Sequence, residues 1–182
     1  LSRLPPYLFA ELEKLHTTLR NKGVDVIDLS IGDPDQPPPE VAIETLKKYL
    51  HADQVHRYST SKGCEQFCNA VAQFMNKRYD VELDPDSEIC LAIGSKEMLA
   101  HIPLALTNPG DVVLLPEPGY PPYRSGTIFA LCEPFVLPLT KENGFLPNLD
   151  GIPRDVAQRA KIIFVNYPNN PTAAVATVDF YK

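Results

Sequence analysis

The 182 residues are 44% hydrophobic and 22% charged, the balance of a globular chain with its own core. A net charge of −6 argues against a nucleic-acid footprint and against a basic membrane face. No apolar run reaches spanning length, and the opening lacks a basic region followed by an apolar core, so no signal peptide is expected.

The first residue is Leu, and the chain is expected to begin inside its gene product. Nineteen prolines stand singly or in short runs at element boundaries, where they read as rigid turns. The four cysteines, Cys64, Cys68, Cys90 and Cys132, form no C-x-x-C pair. They are expected to be small buried thiols of a cytoplasmic protein.

Leu8, Leu12, Leu15 and Leu19 make one stripe of a first helix, stopped by Gly23. Val26–Leu29 predicts a short strand, and Ser30-Ile31-Gly32-Asp33-Pro34-Asp35 a loop. Pro38 and Pro39 start a second helix with the stripe Ala42, Leu46, Tyr49 and Leu50. The polar run His56 to Gly63 reads as loop, and a third helix carries Phe67, Val71 and Phe74. Ile89–Ile93 predicts a strand turning at Gly94-Ser95-Lys96-Glu97 into a helix with Met98, Leu99, Ile102 and Leu106.

Further strands follow at Val112–Leu115, Phe135–Leu137 and Lys161–Val165. Between them lie the loop Pro116-Glu117-Pro118-Gly119-Tyr120-Pro121-Pro122-Tyr123 and another helix. Strand, loop and helix in repetition predict an α/β fold with a doubly wound, mostly parallel sheet. Residues 1–50 are expected to be an N-terminal arm and small-domain segment. Residues 51–182 are expected to be the first part of a large domain.

The last strand runs into Asn166-Tyr167-Pro168-Asn169-Asn170-Pro171-Thr172. Each proline holds the residue before it, Tyr167 or Asn170, out of the α region. A strand end that delivers a stiffened amide is how open α/β sheets present ligand-binding groups. Gly94-Ser95-Lys96, at a strand-to-helix turn, offers helix N-terminal amides to an anion. It is neither a P-loop nor a dinucleotide fingerprint.

Together these segments resemble class I/II aminotransferases, the fold type I enzymes that use pyridoxal 5′-phosphate. The Asn-Pro-Thr motif carries the resemblance, in register with Gly94-Ser95-Lys96, the Tyr120 loop, Tyr58 and Gly32. The wording of Ile93–Glu97, Asn108–Asp111, Glu142–Pro147 and Asn166–Thr172 is most similar to the LL-diaminopimelate aminotransferase branch.

The resemblance implies that Ser95 and Lys96 hold the cofactor phosphate, and that Tyr120, with Tyr123 in reserve, stacks on the pyridine ring. It implies that Asn170, expected to be buried, donates to the phenolate oxygen O3′. Tyr58 would reach the phosphate of a neighbouring subunit in a homodimer, and the Gly32 amide would face the substrate carboxylate. Amino-acid and 2-oxo-acid substrates follow.

Two departures stand out. Ala173 occupies a motif position that is otherwise Gly, and Phe67-Cys68 stands where Leu-Arg is usual. The catalytic lysine, the acid for the pyridine nitrogen and the carboxylate arginine would lie downstream, so no catalytic residue is expected in this chain. A non-catalytic aminotransferase-like module and a different pyridoxal phosphate reaction, such as β-elimination, fit the same half.

Overall fold

The computed structural model describes residue 4, residues 8–53 and residues 55–182. Contacts divide the chain into two compact units, one within Pro5–Leu91 and one containing Ala92–Lys182.

The first unit is helical. Helix α1 spans Leu8–Asn21, α2 Glu40–Tyr49 and α3 Glu65–Tyr79. The leucine stripe of α1 is half-buried at Leu12 and Leu19, whereas Leu15 is exposed; the side chain of Leu8 lies outside the described residues. Pro39 caps α2, as its fixed φ suits a helix start. The α2 stripe faces outward, with Leu46, Tyr49 and Leu50 all exposed.

In α3 the inward line is Cys68, Val71, Ala72 and Met75, spaced i, i+3, i+4, i+7, with Cys68 fully buried. Phe67 and Phe74, expected as part of a core stripe, are exposed on its flank. Two of the four thiols, Cys64 and Cys90, are also exposed, contrary to the expected burial.

The second unit is a three-layer α/β arrangement. Helix α4 spans Ser95–Leu106, strand β1 Val112–Glu117, helix α5 Pro121–Phe129 and strand β2 Glu133–Pro138. Helix α6 (Arg154–Arg159) leads directly into strand β3 (Ala160–Ile163), and a 3₁₀ turn covers Val178–Tyr181. The sheet order is β2-β1-β3, all parallel, with Leu114 opposite Phe135 on one side and Ile163 on the other.

Alternate residues of β1 feed two cores. Val113 and Leu115 join Tyr123, Ala130, Cys132 and Phe164 beneath α4 and α5, while Val112 and Leu114 pack with Leu137 and Val156 on the α6 side. Such burial on both faces is the reason β1 reads as a continuous apolar run. The step from β1 to β2 carries its helix on one face. The step from β2 to β3 runs the opposite way across the sheet and carries its helix on the other face. The two crossovers therefore share one hand, as doubly wound sheets require.

Two expected strands do not form. Val26–Leu29 and Ile89–Ile93 pair with no strand among the described residues. The Leu91 amide donates to Lys62 O, and the Ile93 amide is taken by the Glu97 carboxylate at 2.6 Å. Ile27, Leu29 and Ile93 are each more than four-fifths exposed. The apolar pattern is there, but a strand also needs a neighbour's amides and carbonyls.

Candidate active site

Contacts at the far ends of α4 and α5 fix where the site lies. The Thr107 hydroxyl, just past α4, sits 2.9 Å from Cys132 Sγ, just past α5. The Gly110 amide donates to Leu131 O and the Glu133 amide to Asp111 O. Both helices thus finish beside the entries to β1 and β2.

Midway along, Gly126 lies against the α4 backbone: a Cβ there would stand 2.6 Å from Ala100 O. The two helices therefore run side by side in the same direction. With 12 residues in α4, its start lies about 18 Å from its end, at the carboxyl edge of the sheet. Ser95, Lys96 and Tyr120 share that edge with the residues that follow β3.

Each group there has a local cause. Gly94 is the N-cap of α4, at φ 82°, and has no side chain to accept from the first-turn amides of Ser95 and Lys96. Tyr120 is the N-cap of α5, extended at φ −71° and ψ 127°, with Pro121 and Pro122 as the first helical residues. Its half-buried ring meets Tyr123 edge-to-face at 5.9 Å and 84°.

Tyr123, the reserve for a stacking role, is instead a core residue. It is buried and stacked on Phe164 at 4.5 Å and 18°. Burial, followed by the charge of Tyr120, raises its pKa. Its ring is consumed by packing, which removes it as a candidate.

The turn after β3 does not bury Asn170, contrary to the expectation. Asn169, at 4% exposure, is the buried one, and Asn170 is exposed with no hydrogen-bond partner among the described residues. The Asn169 amide donates to Ala174 O at 2.8 Å, and its carbonyl accepts from Ala173 N at 2.7 Å. Asn169 Nδ2 donates to Thr172 Oγ1 at 2.9 Å and faces Pro118 O at 3.5 Å.

Both prolyl peptides of the turn, Tyr167–Pro168 and Asn170–Pro171, are cis. Tyr167 donates from its hydroxyl to Phe145 O at 2.8 Å, joining this turn to the Lys141–Phe145 turn. Ala173 holds φ 58°, in the left-handed region that favours glycine. The sequence signal for Asn169 is weak, since neighbouring asparagines differ only in which one the turn folds inward.

Gly32 and Tyr58 belong to the helical unit. Gly32 has an ordinary φ and no described atom near an added Cβ, so the local fold alone does not demand glycine. It follows a clasp that sequence reasoning did not single out: His16 Nδ1 lies 2.9 Å from Asp28 Oδ2, and Asp28 Oδ1 accepts from Ser30 N and Oγ. The Ser30 hydrogen bonds, then the nearby charges of His16 and Arg20, hold the Asp28 carboxyl below its ordinary pKa. A groove of about 500 Å³ opens between α1 and Asp28–Ile31. Tyr58 is fully exposed, in a loop whose end is fixed by the Lys62–Asp86 ion pair.

Residues 24–182 match the sequence model of aminotransferases of class I and II. The chain belongs to that family. It is 54% identical over its whole length to an LL-diaminopimelate aminotransferase of Aquifex aeolicus and 52% to that of Syntrophobacter fumaroxidans, covering 47% of each. It thus spans about half the length of the curated relatives it matches.

Among solved structures, apo-BacF of Bacillus subtilis superposes with a TM-score of 0.90 at 38% identity, over 98% of this chain and 45% of that one. A probable N-succinyldiaminopimelate aminotransferase of Thermus thermophilus gives 0.87 at 39%, over 95% and 46%. The aminotransferase fold explains why three loops from separate elements meet at one sheet edge.

The aminotransferase cofactor, pyridoxal phosphate, fits this edge on its donor chemistry. It needs amides for a phosphate, an aromatic for a pyridinium ring and an amide donor for a phenolate. Ser95-Lys96, Tyr120 and Asn170 are of those kinds.

Proposed function

We propose that the full-length protein exchanges the amino group of an amino acid with a 2-oxo acid, using pyridoxal phosphate, with LL-diaminopimelate as amino donor. The observation that carries this reading is the gathering of the α4 N-terminus, Tyr120 and Asn170 at one carboxyl edge. Relatives at 51–54% identity that bear the LL-diaminopimelate name support the donor.

When bound, the cofactor supplies an electron sink for the carbanion left by loss of the α-proton. The amides of Ser95 and Lys96, aligned with the α4 dipole, hold its phosphate. Tyr120 would stack on its ring, with aromatic and cation–π attraction. Asn170 would donate to O3′ and so favour the deprotonated oxygen. The Gly32 amide donates to the substrate carboxylate, and Tyr58 serves the phosphate of a second copy in a homodimer.

In the full-length protein, residues 1–50 would form the N-terminal arm and small-domain segment and residues 51–182 the first part of the large domain, a boundary other than the Leu91/Ala92 division that the contacts within this chain make. The catalytic lysine, the acid and the carboxylate arginine belong to the rest of the protein. No described helix is long and apolar enough to cross a membrane, and the reaction's soluble substrates suit the cytoplasm.

The test is to incubate the full-length protein with pyridoxal phosphate, LL-diaminopimelate and a 2-oxo acid, and to follow the new amino acid. Turnover that depends on the cofactor is expected. Cofactor binding without amino transfer would overturn the reaction. Transfer from other amino acids but not from LL-diaminopimelate would overturn the donor.

A further inference from the structure

Three features stand outside the residues already given roles: the His16–Asp28–Ser30 clasp, the groove beside it, and buried Asn169. Of the three, Asn169 alone has polar contacts to both the β1 loop and the β3 loop. Its side-chain nitrogen has two hydrogens in a site nearly closed to water. Each needs an acceptor, because a buried amide left unpaired is costly. The two acceptors on hand are Thr172 Oγ1, at 2.9 Å, and Pro118 O, at 3.5 Å.

The first acceptor lies two residues after Asn170 on the β3 loop. The second lies two residues before Tyr120 on the β1 loop. The Asn169 backbone is itself held at both N–H and C=O by Ala174 and Ala173, so the side chain cannot drift without moving the turn. Each of the two residues that would touch the cofactor ring, Tyr120 and Asn170, thus stands two positions along the chain from an acceptor of this one amide.

From this geometry we propose that Asn169 is a positioning residue. It ties the Tyr120 loop to the Asn170 turn and so sets the distance between the stacking ring and the O3′ donor. The inference rests on the cofactor role of Tyr120 and Asn170.

Asn169→Asp separates this role from simple packing. It keeps the shape and can accept a hydrogen bond from the Thr172 hydroxyl in place of the one Asn169 donates to it, but it cannot donate to Pro118 O. Thr172→Val removes the other link and leaves Asn169 in place. Both variants are made in the full-length protein. Pyridoxal phosphate affinity is read by titration, the pH midpoint of the bound cofactor's visible absorption by spectroscopy, and the melting temperature without cofactor by calorimetry.

Asn169→Asp is expected to weaken affinity about tenfold, the scale of one buried hydrogen bond lost. It should also raise the pH midpoint, because a misplaced Asn170 stabilises the deprotonated oxygen less. Thr172→Val should move both readouts in the same direction. If Asn169→Asp fails to fold, Thr172→Val decides alone. A lower melting temperature with unchanged affinity and midpoint would overturn the proposal and leave Asn169 a purely structural residue. A wild-type protein that takes up no cofactor would instead overturn the functional reading beneath it.

Discussion

Ala173 sits at φ 58°, where an L-residue's Cβ crowds the following carbonyl. Ala173→Gly should relieve roughly 1–2 kcal/mol of that crowding and return about 0.4–1 kcal/mol through the freer unfolded chain. A small net gain in unfolding free energy, read by urea titration of the full-length protein, is expected. A loss would contradict the left-handed geometry.

Tyr120→Ala should weaken pyridoxal phosphate retention by about 1 kcal/mol or more, the scale of one aromatic contact. Unchanged affinity on titration would remove Tyr120 from the site. Asp28 gives a pH prediction. Its folded pKa is depressed, first by the Ser30 hydroxyl. The stability it contributes is therefore full above the ordinary carboxyl value and is lost as pH falls through the lowered folded value. The stability gap between wild type and Asp28→Asn should be widest near neutrality and close in acid. A gap independent of pH would mean the Ser30 and His16 contacts do not form.

Several element-scale features were legible in the sequence because they depend on neighbours along the chain. Pro39 and Pro121 start helices where proline's fixed φ is wanted, and Val112–Leu115 reads as a strand buried on both faces. What could not be read was whatever depends on a distant partner. Val26–Leu29 and Ile89–Ile93 have strand-like residues but no neighbouring strand among the described residues. In α3, Phe67 and Phe74 looked like the core stripe, yet the smaller Cys68 and Ala72 face inward. Likewise, which of Asn169 and Asn170 turns inward follows from Pro118 and Thr172, not from the local pattern.

Gly126 was not singled out, since its significance is the α4 backbone opposite. Gly126→Ala would put a methyl 2.6 Å from Ala100 O and 2.8 Å from Ala100 Cα. Overpacking of this kind typically costs about 1–3 kcal/mol. Because α4 and α5 both start at the candidate site, cofactor affinity should fall along with thermal stability. Normal stability and affinity would show that the helices can separate without consequence.

At the scale of the whole molecule, the family and its fold type were readable because five short motifs stand in register. The 182 residues expressed alone are predicted to show no amino transfer, since the groups for proton transfer are expected in the part of the relatives' length that this chain does not span. Their apolar faces are also uncovered: Leu46 of α2, Ile27, Leu29 and Ile93 are all exposed. β2 and β3 present open edges among the described residues, so aggregation is expected. Turnover by this piece would place the catalytic lysine among Lys62, Lys96, Lys141 and Lys161. In the full-length protein, sedimentation should give a dimer, and an active monomer would remove the role of Tyr58.

One sheet edge, built by α4, the Tyr120 loop and the Asn170 turn, is proposed to hold pyridoxal phosphate. The most direct measurement is the affinity of the full-length protein for that cofactor, wild type against Asn170→Ala, by absorbance titration. Asn170 is exposed and makes no hydrogen bond to the described residues, so its loss should leave folding intact. It should weaken binding about tenfold, as for one charge-assisted hydrogen bond. Equal affinity in the two proteins would contradict the account.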